Sequence, residues 1–554
     1  MHKKRLYKAT ILIFSILIVA GLFLNSFVGS LRVFLPHIFQ VTGFLGQQKN
    51  YLIIFQNNTE LRPTGGFISA FGILRFKNGI PSLEMRDVYG EIADHDLIEP
   101  PYPQKQLLMS RWYGGYTFRD ANWNPKFSES ATDLISFYNK TNDEEIQGVI
   151  AVNYTFLEDL IRSIDGISIN GDQVTADTLF ETLEHNVSNI DLHNEEALKN
   201  RKSVLGIVKK ELAIRAMNPF YMRKISDTIH ESLNKKDIIF YFKKKSLSEF
   251  VAKNNWDGNF EYKGGDFLYI NEANLGGAKS NRYITKDISY FWQQKDDNIE
   301  AKLTLDYQHH GIFNAPLSTD YSGYTRVYLP KEAEVTDFKA GNDPAEYKIY
   351  EESGYKVVGF ILMLKHGEAQ QIEIKYNLPK NLIRDGNYNL QVIKQPGDKD
   401  ATIKIAGSLT QGHTIKSQDF VSHEQVALYS SNLESDLSLS LQTISDKTPP
   451  RVVHQAIKDL NTIEIHFNEP VNLSAANGFN YQVTDLNAAN DNTDTVIITN
   501  ISHGGRFVEL KVEGMTEQDE EQYMVTIDKV GDMNGNAASP LPKTVTLVQR
   551  LGEE

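Results

Sequence analysis

The sequence predicts a multidomain α/β plus β protein, and three observations support this fold class. Strand and helix patterns alternate between residues 48 and 266, which is typical of a layered α/β domain. Short alternating segments without a helix pattern fill residues 267–440 and predict an antiparallel β-sandwich. Strand-sized segments then recur over residues 448–550 with the spacing of an immunoglobulin-type (Ig-like) β-sandwich.

Residues 1–33 predict a cytoplasmic basic tip followed by a transmembrane helix. Basic residues precede an uncharged run from Ala9 to Leu31, which is long enough to cross a bilayer as a helix. A cleaved signal peptide is the alternative, although its apolar core is normally shorter. The sequence therefore predicts a single-pass membrane protein with a cytoplasmic N-terminus and an extracellular remainder.

The composition excludes several functions. The chain has 57 Lys and Arg against 71 Asp and Glu, a net charge of -14, which argues against nucleic acid as a partner. It has no cysteine, so disulfides, thiolate metal sites and cysteine nucleophiles are excluded. The GxSxG, P-loop and HExxH motifs are also absent from the sequence, which argues against the corresponding enzyme classes.

The stretch from Tyr51 to Gly72 carries the residues best suited to chemistry. Two predicted buried strands flank a polar loop with a Pro-Thr-Gly-Gly turn. Backbone amides that glycine leaves accessible, together with a guanidinium group, can form an anion site. The alternative is a tight hairpin in which the arginine pairs with a neighbouring carboxylate. The candidate ligand-binding residues are Asn57, Asn58, Thr64, Gly65 and Gly66, with Arg62 beside them.

The segment from Asn194 to Lys253 is predicted to be helical and locally basic. Its apolar residues recur at helical spacing, so one face is apolar and the other cationic. A helix packed on the sheet with its charges in solvent is one interpretation. A surface for phosphate head groups of lipids is the other.

A turn near the C-terminus is rich in oxygen ligands. It contains Asp528, Asp532, Asn534 and Asn536 but lacks the EF-hand spacing and its closing glutamate. We predict an ordinary turn rather than a Ca²⁺ site.

Four strings between Tyr51 and Leu378 resemble the bacterial family called domain of unknown function 4012. They are NNTELRPTGGF, RDANWNPKFSESA, VIAVNYTFLEDLIRSIDGI and NEANLGGAKSNRYI. That family has no established activity, so the resemblance by itself implies no reaction.

The α/β part also resembles the LytR-CpsA-Psr phosphotransferases, which move glycopolymers from a polyprenyl-pyrophosphate carrier onto peptidoglycan. The likeness rests on YLIIFQNN with Arg62, on the pair Arg86-Asp87, on GVIAVNYTFLEDLIRSIDGI and on NRKSVLGIVKKEL, which contains Arg201. It implies that arginines hold a pyrophosphate while aspartates hold Mg²⁺ or act as bases. The resemblance implies Arg62, Arg86 and Arg201 as arginines and Asp87 as an aspartate of such a site, and we predict that Arg119 and Asp120 join them in these roles.

This chain departs from those enzymes in its first loop. Where they carry aspartates it has Asn57 and Asn58, and a neutral amide binds Mg²⁺ less well than a carboxylate. Residues 449–548 are similar to the Ig-like repeat of bacterial S-layer proteins, through TPPRVV, TIEIHFNEPV and DKVGDMNGNAAS. The resemblance implies a module that projects and adheres.

These observations together predict a membrane-anchored extracellular cell-envelope protein that binds a phosphorylated, polyprenyl-pyrophosphate-linked glycan. One alternative is an active glycopolymer phosphotransferase of the LytR-CpsA-Psr kind. The other is a purely structural surface adhesin. The predicted partners are membrane lipid at the N-terminal helix and cell-wall glycan or lipid-linked glycopolymer.

Overall fold

The computed structural model describes most of the chain after its N-terminal segment. The described residues are 34–86, 88, 116–188, 211, 214–215, 218–486 and 495–548, apart from 35, 44–45, 170, 277–278, 313–317, 342–345, 400, 411–412, 424, 517–521 and 538–542. Strands hold 49% of the described residues and helices 20%. The predicted fold class, α/β plus β, is therefore wrong, because the described part of the chain is mainly β.

The predicted transmembrane helix and the single-pass topology are also corrected. None of the helices among the described residues is long and apolar enough to cross a bilayer. The predicted anchor itself, residues 9–31, lies outside the described residues.

The first part of the chain, here called the first unit, is built on a five-stranded mixed sheet. Its strands are β1 (Gln48–Asn57), β2 (Phe67–Lys77), β3 (Ile80–Arg86), β4 (Gly148–Asn153) and β7 (Ile238–Phe242). Strands β5 (Ile167–Ile169) and β6 (Asp172–Val174) form a separate small hairpin. The order is β3-β2-β1-β4-β7. Strands β1 and β4 are parallel and the other neighbours antiparallel.

Helices cover both faces of this sheet. They are α1 (Ile38–Thr42), α2 (Phe127–Asn139), α3 (Tyr154–Ser163), α4 (Ala176–Ser188), α5 (Pro219–Asn234) and α6 (Lys245–Lys253). Successive side chains of a strand point to opposite faces. Leu52 therefore packs with Leu134 of α2, whereas Tyr51 packs with Val251 of α6.

Strand β7 corrects the predicted helical segment from Asn194 to Lys253. Its sequence, IIFYF, consists of β-branched and aromatic residues that favour a strand. The two described helices α5 and α6 flank this strand, so the segment alternates between helix and strand. Residues 189–210 lie outside the described part of the chain.

Residues 266–445, here called the sandwich, form two seven-stranded sheets. The strands are β8 (Asp266–Asn274), β9 (Ile284–Gln294), β10 (Asn298–His309), β11 (Tyr321–Leu329), β12 (Glu334–Ala340), β13 (Tyr347–Glu352), β14 (Tyr355–Leu364), β15 (Ala369–Pro379), β16 (Asn387–Ile393), β17 (Thr402–Ser408), β18 (His413–Lys416), β19 (Val421–His423), β20 (Val426–Asn432) and β21 (Leu437–Ser445). The orders are β12-β15-β10-β9-β17-β20-β19 and β13-β14-β11-β8-β16-β21-β18. Side chains of both sheets share one apolar core.

Two strand pairs correct the prediction that this sandwich is antiparallel. Strand β16 runs parallel to β8, and β17 runs parallel to β9. The short alternating segments predict strands but not their direction, because an alternating strand has the same pattern in either orientation. The remaining pairs among the described strands are antiparallel.

The last part of the chain forms a seven-stranded antiparallel sheet around its own core. Its strands are β22 (Val452–Asp459), β23 (Thr462–Phe467), β24 (Tyr481–Asp485), β25 (Thr495–Gly504), β26 (Phe507–Glu513), β27 (Gln522–Ile527) and β28 (Lys543–Val548). The order is β22-β23-β26-β25-β24-β27-β28. Ile463, Val508 and Tyr523 lie in its core.

Asp266, the first residue of β8, is a buried acid that makes sandwich stability depend on pH. Its carboxylate accepts hydrogen bonds from the hydroxyls of Tyr290 and Tyr388 and from the amide of Phe267. Burial raises the pKa of Asp266 to about 6, although these hydrogen bonds lower it in part. The folded chain therefore binds this proton more tightly than the unfolded chain does.

We expect Asp266 to contribute stability below the unfolded pKa of about 3.9 and to lose that contribution as the pH rises through about 6. Urea unfolding at several pH values should show the free energy of unfolding of the unmodified protein falling by roughly 2.5 kcal/mol relative to Asp266→Asn between pH 4 and pH 8. Parallel pH profiles for the two proteins would contradict this account.

Candidate functional site

The loop between β1 and β2, residues 58–66 and here called the junction loop, is buried between the first unit and the sandwich. Its carbonyl groups are held by amide side chains from other parts of the chain. The side chain of Gln395 donates to the carbonyl of Arg62 at 3.0 Å, and that of Asn271 donates to the carbonyl of Pro63 at 3.0 Å. The loop therefore contacts protein where the sequence analysis predicts a ligand.

The segment that receives the junction loop is NEANLGGAKSNRYI. The amide of Asn274 donates to the carbonyl of Leu61 at 2.8 Å, and the side chain of Asn281 accepts from the amide of Leu61 at 3.0 Å. The amide of Asn281 also donates to the carbonyl of Thr59 at 3.1 Å. Two of the four strings that carry the family resemblance therefore bind each other.

The glycines of the loop allow close approach of protein to protein. Gly65 has a φ of +142°, and a Cβ atom there would overlap with the side-chain oxygens of Asn153 and Gln56. A Cβ at Gly397 of the sandwich would overlap with the carbonyl of Gly65. Backbones of the two units are thus in direct contact at this point.

Arg62 is paired with an acid of its own loop. Its side chain is 2% exposed, and its Nη2 donates to Glu60 Oε1 at 2.9 Å. Burial raises the pKa of Glu60, while Arg62 and Lys279 lower it in part. This is the paired hairpin that the sequence analysis gives as the alternative to an anion site.

The other predicted ligand-binding residues of the loop also have protein partners. Asn57 Oδ1 accepts from the amide and hydroxyl of Thr59. Asn58 Nδ2 donates to Thr155 Oγ1 at 2.7 Å and to the carbonyl of Gly397 at 2.8 Å. Thr64 Oγ1 accepts from the side-chain Nε2 of Gln56 at 2.8 Å.

Arg86 lies at the end of β3 and contacts a different set of residues. Its Nε donates to Glu84 at 3.1 Å, and its Nη1 donates to Asn142 at 2.8 Å and to the hydroxyl of Tyr138 at 3.3 Å. Arg62 and Arg86 share none of these partners.

Two of the four remaining predicted site residues are described by the structure, and two are not. Arg119 and Asp120 lie in a 3₁₀ turn from Phe118 to Asp120, and Asp120 Oδ2 accepts from Thr117 Oγ1 at 3.0 Å. Asp87 and Arg201 lie outside the described residues. The Mg²⁺ site of Asp87 and Asp120 therefore stays a prediction.

Lys286, Glu272 and Asp398, here called the charged triad, lie close to the point where Gly397 contacts the junction loop. Lys286 Nζ contacts Glu272 Oε2 and Asp398 Oδ2, both at 2.7 Å, and the hydroxyl of Tyr307 donates to Glu272 Oε1 at 2.5 Å. Burial lowers the pKa of Lys286, but Asp398 and Glu272 outweigh burial, so the pKa is raised overall. The triad joins β8 and β9 to the segment that contains Gly397.

Among the described residues, the acids Asp446, Glu469 and Asp532 form the group that could hold a metal ion. Their ligand oxygens lie within 4.8 Å of one another. Asp532 Oδ1 also accepts from the amides of Asn534 and Asn536 at 2.7 and 2.8 Å. The sequence analysis considered the turn around Asp532 and missed Asp446 and Glu469, because they are far from that turn in the sequence.

A groove lined by aromatic side chains lies beside the junction. This aromatic groove has a volume of about 620 Å³. Its lining consists of Trp123 of the first unit and, from β11 and β13 of the sandwich, Tyr324, Arg326, Lys348, Ile349, Tyr350 and Glu352.

Two rings of the groove stack on each other. Those of Trp123 and Tyr324 are nearly parallel, at 18°, with centroids 6.4 Å apart. The hydroxyls of Tyr324 and Tyr350 lie 3.3 Å apart. Burial raises the pKa of Tyr350, and Tyr324 raises it further, so the Tyr350 phenol stays neutral and can donate a hydrogen bond. Gly359 of β14 lies under the tyrosines, where a Cβ atom would overlap with the Tyr324 hydroxyl.

Arg326 fixes the position of Trp123. Its guanidinium carbon lies 4.8 Å from the centre of the Trp123 ring, and Nη2 donates to the Trp123 carbonyl at 3.0 Å and to Asn271 Oδ1 at 2.9 Å. Since Asn271 also holds Pro63 of the junction loop, the groove and the junction share one hydrogen-bond network.

Sequence reasoning missed the groove. Trp123 stands in the string RDANWNPKF, where only Arg119 and Asp120 received roles. Tyr324 and Tyr350 lie in alternating strands, where aromatic residues are equally expected in a core. The available signal was a tryptophan in a predicted loop, since loops commonly carry binding residues.

The fold and the groove define a mainly-β multidomain protein in which a small unit of sheet and helices docks onto a large β-sandwich through a buried polar loop. Residues 46–187 match the model of the family described as protein of unknown function (DUF4012), and this part of the chain is a domain of that family. The match confirms the resemblance for the three strings that lie within residues 46–187, whereas NEANLGGAKSNRYI lies outside the matched residues.

Similar solved structures are distant. The N-terminal part of the bacterial S-layer protein SbsC matches at 17% identity and a TM-score of 0.17, covering 19% of this chain and 24% of that one. A putative nutrient binding protein from Legionella pneumophila matches at 10% identity and a TM-score of 0.23, covering 32% and 71%. An M1 zinc metallopeptidase from Deinococcus radiodurans matches at 8% identity and a TM-score of 0.20, covering 34% and 47%. These scores are too low to support an inference, and no curated protein matches the chain.

Proposed function

We propose that this protein binds a glycan and that the aromatic groove is the binding site. The observation that carries the proposal is the pair of half-buried aromatic rings, from Trp123 and Tyr350, in a cavity of about 620 Å³ with charged side chains at its edge. Tyr324, which also lines the cavity, is 2% exposed and supports the other rings. Aromatic rings offer a large, rigid contact area at little cost in conformational entropy. A sugar ring has an apolar C–H face and a rim of hydroxyl groups, so it matches an apolar floor with polar groups at the edge.

The proposal keeps the glycan ligand of the sequence analysis and places it at a different site. The site predicted from the sequence centres on Arg62, which is buried and paired with Glu60. The groove in contrast is open and combines half-buried Trp123 with exposed Lys348. We therefore propose binding and assign no catalytic step.

Trp123→Ala is expected to weaken glycan binding about tenfold or more, because it removes the largest ring of the groove. Isothermal titration calorimetry with chitotetraose, cellotetraose and tetragalacturonate should show binding of at least one of them to the unmodified protein. Phe479→Ala is the matched control, since Phe479 is an aromatic residue of the last domain that is 99% exposed. Its binding should equal that of the unmodified protein.

Two results would overturn the proposal. One is that none of the three oligosaccharides binds the unmodified protein. The other is that Trp123→Ala, with an unchanged circular dichroism spectrum, binds them as tightly as Phe479→Ala does.

A further inference from the structure

We infer that the aromatic groove selects an anionic saccharide, one that carries a carboxylate or a phosphate group. The inference rests on the proposed glycan binding and adds the charge of the ligand. The charged side chains that line the groove are Arg326, Lys348 and Glu352, two cations and one anion. A groove with a cationic excess on a chain of net charge -14 is a local exception that favours an anionic ligand.

The guanidinium group of Arg326 has hydrogen-bonding capacity to spare. Nη2 uses both of its hydrogens, on the Trp123 carbonyl and on Asn271 Oδ1. Nη1 reaches Glu352 Oε1 only at 3.4 Å, and Nε has no acceptor in the described part of the chain. An arginine carries five N–H donors, and Nη1 makes only this one long contact, so Nη1 can donate a hydrogen bond to a further oxygen anion.

Glu352 occupies the place that a ligand anion would take. Its side chain is 25% exposed, whereas that of Arg326 is 3% exposed, so the carboxylate covers the guanidinium from the solvent side. The contact between them is long for a charge-assisted hydrogen bond, which is normally 2.7–2.9 Å. A carboxylate or phosphate of the ligand can therefore replace Glu352 on Arg326.

Strand β13 brings the second cation to the same place. Side chains alternate along a strand, so Lys348, Tyr350 and Glu352 share one face of β13. Lys348 is exposed at the edge of the groove. A saccharide whose ring lies on Tyr350 therefore places an acidic substituent between Lys348 and Arg326.

Titrations with matched ligands separate this inference from glycan binding itself. Trigalacturonate and its neutral methyl ester test a carboxylate, and maltotriose with and without a 6-phosphate tests a phosphate. We expect the unmodified protein to bind one of the two anionic members about tenfold more tightly than its neutral counterpart at low ionic strength. The preference should shrink in 0.5 M NaCl, because salt screens exposed charges.

Two variants test the residues. Glu352→Gln should increase the preference for the anionic member about fivefold, because it removes a like charge that competes for Arg326. Lys348→Gln should reduce that preference about threefold, which is the effect of losing one exposed charge. Lys331→Gln is the control, since Lys331 is also exposed and pairs with Glu351 outside the groove.

Equal binding of anionic and neutral members would overturn the inference and leave glycan binding intact. An unchanged preference in Glu352→Gln would also overturn it. A different outcome would contradict glycan binding itself. It is that none of these trisaccharides binds and that chitotetraose, cellotetraose and tetragalacturonate do not bind either.

Discussion

Replacing Gly65 with alanine is expected to lower the free energy of unfolding of the first unit by roughly 3–5 kcal/mol. Two costs add at this position. The φ of +142° is unfavourable for any residue with a side chain, and the new methyl group would overlap with the amide oxygens of Asn153 and Gln56. Thermal unfolding and hydrogen exchange of the junction loop should both report the loss, because the loop backbone also contacts Gly397 of the sandwich.

Gly79→Ala is the matched control for this experiment. Gly79 has a φ of +77°, but a Cβ atom there would meet nothing within 4 Å. The backbone cost alone, about 1–2 kcal/mol, is therefore expected. If the two variants lose the same stability, the close contact of Gly65 with the amide oxygens has no energetic importance and the account of the junction fails.

Replacing Lys286 with methionine is expected to destabilise the sandwich by about 3–5 kcal/mol, because it leaves buried Glu272 and half-buried Asp398 without their cation. Both acids contact Lys286 at 2.7 Å, and the Lys286 side chain is 6% exposed. Urea unfolding at pH 7 measures the loss.

Lys302→Met provides the comparison on the same sheet. Lys302 is 44% exposed and pairs with Glu373 at 3.4 Å. Solvent screens such a pair, so a loss of at most about 1 kcal/mol is expected. A loss for Lys286→Met no greater than that for Lys302→Met would show that the buried triad does not hold the sandwich segment against the junction.

Local patterns in the sequence predicted many of the strands and helices. The apolar run at Tyr51 and the run from Phe67 became β1 and β2, because hydrophobic runs bounded by turn residues specify buried strands. Strand direction in the sandwich was not predictable in the same way. The parallel pairs β8/β16 and β9/β17 join segments far apart in sequence, and no local pattern reports such pairing.

The function of the junction loop was not predictable from its local sequence either. The glycines and polar residues of the junction loop have the composition of a ligand-binding loop, and the same composition also suits a loop that docks against amide side chains. Whether Gly65 meets a ligand or the backbone at Gly397 depends on the position of the sandwich. The groove depends on that position too, because Trp123 and Tyr350 come from different parts of the chain.

Fluorine NMR of the protein labelled with 5-fluorotryptophan tests glycan binding at the groove most directly. The chain contains four tryptophans, of which Trp112 lies outside the described residues. Among the three described ones, Trp123 lines the groove. Trp256 and Trp292 are buried in other cores. On titration with the oligosaccharide that binds, the resonance assigned to Trp123 by substitution should shift and saturate, while those of Trp256 and Trp292 stay in place. A saturating shift of another tryptophan with the Trp123 resonance unchanged would contradict the account.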